Sequence, residues 1–175
     1  MEESLRGQLL IATPSLCDYF RRTVVLVVEH SAEGAMGVVL NRPSETRVGE
    51  AVPALSELVD DDDLVRVGGP VSPESVVALG DFEDPAEAAT RLVGSLGLLD
   101  PDVPDPDLRR LRVYAGYAGW GPGQLDGEIE QHAWVVESAE PEDPFTDGDL
   151  WAVALQRKGG SYALMATMPA DPSLN

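Results

Sequence analysis

A single cysteine in 175 residues leaves no internal disulfide for the chain to fold around. Cys17 alone fits a reducing compartment, and it gives a zinc-type cluster almost no thiolate to draw on. Only two histidines, His30 and His132, are present to make up the shortfall. Glu128 and His132 stand one helical turn apart, but a metal would need two further ligands. The repeated aspartates lack calcium-loop spacing. No metal and no cofactor is therefore expected. Long apolar runs are missing as well. The longest in the first thirty residues is Val24 to Val28, far short of the roughly 20 residues that cross a bilayer. No basic start leads into an apolar stretch and a cleavage site, so no export signal or membrane partner is expected and the expected location is cytoplasmic. Basic residues are scarce: 12 against 31 acids, for a net charge of −19. Nucleic acid is held mainly by Lys and Arg neutralising phosphates, so direct DNA binding is not expected unless those 12 gather on one face.

What remains describes an ordinary globular chain. Hydrophobic residues make up 43% and charged residues 25%, and the length suits one domain over residues 1–175. A chain of this size buries roughly 70% of its unfolded surface and needs no staple. The acids cluster at Asp60–Asp63, Asp81–Glu87, Asp100–Asp107 and Glu137–Asp149, in segments of turn composition. They read either as a docking surface for a basic partner or as a solvated coat.

Short strands are expected at "GQLLIA", Thr23–Val28, Met36–Leu40, Leu64–Val67, Ser75–Leu79, Leu111–Ala115 and Trp134–Val136, with a last one at "SYALMA". Helical spacing appears in "RVGEAVPALSELV", in a segment from Asp84 through "AEAATRLVGSL", over Gln124–His132, and in "LWAVALQRK". The last is flanked by Thr146 and Asp149 as a capping pattern and ended by Gly159. "GYAGWGPG" reads as a glycine-rich loop. Pairing Thr23–Val28 with Met36–Leu40 about "SAEGA" sets Glu29 beside Met36 and Val24 near Asn41. Arg22 and His30 then fall at opposite ends of the hairpin, about 20 Å apart at 3.3 Å per residue, too far to share one site.

Searches for chemistry end without a catalytic set. Gly116 to Gly121 has the outer spacing of a Walker loop, but Pro122 and Gly123 stand where Lys and Ser or Thr belong. "GGSYA" around Ser161 looks like a hydrolase elbow, yet it follows a helix instead of a strand. Cys17, near Arg21 and Arg22, is either an activated thiol or a bystander. Tyr117 and Trp120 read as a platform for a flat apolar ligand or as packing of a tight loop.

Five stretches share one likeness: "LLIATPSL", "FRRTVVLVVEHSAEGAMGVVLNRP", "GGPVSP", "YAGYAGWGPGQLDGEIEQHAW" and the tail "LMATMPADPSLN". In this order they resemble the AlgH/YqgE-like proteins, a bacterial family that is largely uncharacterised. One departure is Tyr19, where the family usually has proline after the aspartate matching Asp18. The resemblance implies a single-domain α+β fold with a bifurcated, partly barrel-like mixed sheet surrounded by helices. It also implies a transcriptional-regulator label, although no helix-turn-helix or basic recognition helix is visible. The expected function is a non-catalytic binding or regulatory module with an unidentified protein or small-molecule partner. Its expected recognition residues are Gly68, Gly69, Pro70, Tyr117 and Trp120, joined by Arg22 or His30. The alternative is a small hydrolase whose residues meet only in three dimensions.

Overall fold

Valine-rich runs closed by turns make strand the dominant element, and the first of them set the frame. The computed structural model describes residues 4–16, 18–100, 102–103 and 106–167. Cys17 and most of the tail that carries part of the family likeness lie outside the described residues. The strands are β1 (Gln8–Ala12), β2 (Val24–Ser31), β3 (Gly34–Val39), β4 (Pro43–Arg47) and β5 (Leu64–Val67). They continue as β6 (Val71–Phe82), β7 (Thr90–Val93), β8 (Leu96–Leu98), β9 (Leu108–Trp120) and β10 (Trp134–Ser138). The helices are short: α1 (Val48–Ala51), α2 (Gln124–Glu130), α3 (Leu150–Lys158) and α4 (Ser161–Met165).

The sheet runs β10-β1-β2-β3-β9-β6-β8-β7, and it branches where β5 joins β9 and carries β4. Every pairing is antiparallel except β5 with β9. The path is open, with β10 and β7 at its ends, so the barrel-like closure implied by the resemblance is not formed among the described residues. Nor do helices surround it; strand predominates in an α+β arrangement.

Val24 to Val28 are all buried because β1 and β2 are covered on both faces. Leu9, Ile11, Val24 and Leu26 pack toward Trp151 and Leu155 of α3, while Leu10, Val25 and Val27 face Trp120, Leu125 and Trp134. That burial explains a continuous apolar run in place of an alternating one. The hairpin register is as the sequence implied: Glu29 opposes Met36, with a bulge between Val27 and Glu29. At the other end the Val24 amide donates to Asn41 Oδ1 at 3.0 Å and Asn41 Nδ2 donates to the Arg22 carbonyl at 2.9 Å. Tyr19, the departure from the family, meets Phe20 edge-on at 5.1 Å and lies 4.5 Å beneath the Arg42 guanidinium.

Three expectations need correction. The helix after Asp84 is only a 3-10 turn over Pro85–Glu87, capped by Asp84, after which β7 and β8 form a hairpin. Gly94 lies in the left-handed region at φ 54°, which turns the chain back before a helix can continue. The glycine-rich loop is the end of β9, which pairs through Trp120 with Ala35 of β3. "SYALM" is helix α4, packed on α3. A further strand has no edge to join beside β10, because Lys158 and Arg157 donate to the Val136 and Ser138 carbonyls at 3.0 and 3.2 Å. No helix among the described residues is long and apolar enough to cross a membrane, which leaves a β-barrel unaddressed.

Candidate functional site

The residues singled out from the sequence meet different partners in the fold. Gly68 and Gly69 are buried against β9: the Gly68 amide donates to the Ala115 carbonyl at 2.8 Å. A Cβ on Gly69 would stand 2.1 Å from Tyr117 backbone atoms. The two glycine motifs therefore do meet, as a crossing of two backbones. Pro70 is exposed near it, and Tyr117, half-buried, lies beside Val71. Trp120 lies in the core at 7% exposure, stacked at 6.5 Å on Phe20, with its indole N–H donating to Glu128 Oε1 at 3.1 Å. Glu128 also accepts from the Trp134 indole at 2.9 Å and from Gln124. These bonds commit the carboxylate that the sequence had paired with His132. The Arg22 guanidinium packs 4.2 Å over the Trp151 ring. His30 accepts from the Leu5 amide at Nδ1, so Nε2 carries the proton, and it faces Asp126 at 3.6 Å.

Residues that no single sequence window joins instead form a groove of about 700 Å³. It is bounded by the loop after β1, the end of α2, the edge strand β10 and the α3–α4 hairpin. Ile129, Trp134, Val136 and Met165 supply its apolar wall. Thr13, Ser15, His132, Lys158, Ser161 and Tyr162 supply its polar groups.

His132 reaches this groove through an unusual backbone. Helix α2 ends in a Schellman turn, with Ala133 N–H donating to Glu128 O at 2.9 Å and His132 N–H to Ile129 O at 3.0 Å. The residue between cap and exit is left-handed in this motif, which is why glycine usually fills it. Here it is His132, at φ 61°. A left-handed non-glycine residue costs roughly 1–2 kcal/mol. Thr13 holds the turn in place: its hydroxyl donates to the His132 carbonyl at 2.7 Å, and its amide donates to Ala133 O at 3.0 Å. The Ser15 hydroxyl lies 2.7 Å from Thr13 Oγ1, so it is engaged with that clasp.

Lys158 ends α3, where a cation suits the helix dipole. It is the only lysine in the chain, and none of the described residues lining the groove is acidic. An ammonium has three donors, and one is spent on Val136 O, which leaves two for a ligand.

The other gathering of charge is saturated. Asp81, 3% exposed, accepts from Ser95 at 2.6 Å, Arg110 at 2.9 Å and Arg109 at 3.4 Å. Arg110 forks onto Glu142 at 2.8 Å and lies 4.2 Å over Phe145. The hydrogen bond with Glu142 pushes the Arg110 pKa further up and holds the Glu142 carboxyl below its usual range. Arg112 and Arg66 both meet Asp63, at 2.8 and 3.4 Å. Basic residues do collect on β5 and β9, but carboxylates neutralise them there.

Sequence reasoning missed Thr13, Ser15, Tyr162 and Lys158, and it weighed His132 and Ser161 only as parts of other motifs. Two signals were available: a lone lysine among 31 acids, and a histidine where helix α2 had to end.

The model of the AlgH-like family matches residues 9–163. A UPF0301 protein of Streptomyces coelicolor is 44% identical, with 98% of this chain and 96% of that protein covered. One from Mycobacteroides abscessus is 40% identical over 97% of this chain and 87% of its own. Among solved structures, a Corynebacterium diphtheriae protein superposes with a TM-score of 0.85 at 32% identity, covering 96% of this chain and 94% of that one. The AlgH protein of Pseudomonas aeruginosa gives 0.70 at 28%, covering 97% and 98%.

Proposed function

The chain belongs to the AlgH-like family, and from that premise we propose that it is a non-catalytic binding module whose ligand site is the groove between β10 and the α3–α4 hairpin. One observation carries this reading. The groove joins an apolar wall to convergent polar groups at a volume of about 700 Å³, within the roughly 300–1,000 Å³ range of small-molecule sites. Two of its hydroxyls are engaged within the protein. Thr13 is bonded to backbone carbonyls and Ser15 to Thr13, so neither forms a nucleophile–base pair with the His132 ring. Action through a bound small molecule also suits a regulator whose arginines on β5 and β9 are already paired with carboxylates, since those cations are not offered to phosphates.

The test uses the neutral dye N-phenyl-1-naphthylamine. Its fluorescence is expected to rise on binding and to be excited through the protein's tryptophans. Val136→Trp and Met165→Trp, which fill the groove from two sides, are expected to abolish the signal while circular dichroism stays unchanged. Undiminished signal in both folded variants would move the site elsewhere. Hydrolysis of p-nitrophenyl butyrate that disappears in His132→Ala would instead favour an enzyme.

A further inference from the structure

The charge inside the groove contrasts with the charge outside it. The chain carries 31 acids, yet none of the described groove-lining residues is one of them, and the single lysine ends there. The acids cluster at Asp60–Asp63, Asp81–Glu87 and Glu137–Asp149, and none of them is among the described residues of the lining, so Lys158 stands in an acid-free wall of a chain whose net charge is −19. Lys158 stands at the groove with two free donors, and His132 is presented from a left-handed turn that glycine would occupy at less cost. The hydroxyls of Ser161 and Tyr162 add hydrogen-bonding capacity beside them, and Ile129, Trp134, Val136 and Met165 form the apolar side.

From this geometry we infer that the groove takes an amphipathic monocarboxylate, its acid group on the Lys158 ammonium and its hydrocarbon or aromatic body along the apolar wall. One fixed positive charge matches one negative charge. A dianionic phosphate would carry an unbalanced charge into a molecule already at −19. The inference rests on the groove being the binding site, and the following comparison separates the two.

Decanoate, 1-decanol and decyltrimethylammonium share one chain length and differ only in head group. Binding is read by calorimetry and by the change in tryptophan emission. Decanoate is expected to bind at least about tenfold more tightly than 1-decanol, with the cation weakest. Lys158→Gln is expected to weaken decanoate about tenfold and leave 1-decanol unchanged, and Lys158→Arg to restore most of the loss. Equal affinities for acid and alcohol would overturn the carboxylate inference and leave the groove reading standing. So would preference for the cation. Binding of none of the three would overturn both. Head-group preference of the unsubstituted protein decides the matter even if Lys158→Gln fails to fold.

Discussion

At Gly69 the requirement for glycine is spatial. A methyl group there would meet Tyr117 C and O at 2.1 Å, and the backbone crossing with β9 has no slack to yield. Gly116 answers it from the other strand: at φ 78°, its Cβ would come within 2.5 Å of Gly69 O. Gly69→Ala is expected to cost about 2–4 kcal/mol, seen as a lower urea midpoint with unchanged slope. Wild-type stability in that variant would mean the crossing is loose. The sequence marked both glycine motifs as special, and they are, but a lone chain of letters does not distinguish a backbone that must approach a ligand from one that must approach another strand. Trp120 was legible in the same partial way. Its place among glycines left two readings open, a ligand platform or packing of a tight loop; pairing of β9 with β3 places it in the core.

Among the elements, β9 shows most plainly where local reading stops. Leu111–Ala115 was legible because Leu111 and Val113 bracket a typical strand pattern. The arginines before it and the glycines after it looked like ends. Both belong to the strand because β6 pairs with it from Val71 to Phe82. Arg109 and Arg110 lie there to meet Asp81. Burial pushes the Asp81 carboxyl up, but hydrogen bonds from Ser95 and Arg110 and the charges of Arg110 and Arg109 outweigh it and hold the pKa below its ordinary value. A depressed folded pKa stabilises fully above the unfolded carboxylate value, near about pH 4, and the contribution is lost as pH falls through the folded value. Asp81→Asn is therefore expected to be less stable than wild type by about 1–3 kcal/mol at pH 7. Urea denaturation from pH 7 to pH 3 should show that gap narrowing below about pH 4. A gap independent of pH would mean the ion pairs contribute nothing through charge.

Across the whole molecule, the sheet's first three strands and the hairpin register followed from apolar pattern and turn composition, whereas the groove did not. Its walls come from Thr13 at one end of the chain and Met165 near the other, and they meet because β10 pairs with β1 while α3 packs on β1 and donates from Arg157 and Lys158 to β10 carbonyls. Periodicity carries no information about such a meeting. Net charge did carry some: 31 acids made any acid-free surface informative once the surface was known. The most direct measurement is amide chemical-shift mapping of the isotopically labelled protein during a decanoate titration. Saturable shifts should concentrate on Thr13, Ser15, Ile129, His132, Val136 and Tyr162. Shifts gathered instead on Val71 and Tyr117, or no saturable shifts at all, would contradict the groove as the place where this protein meets its ligand.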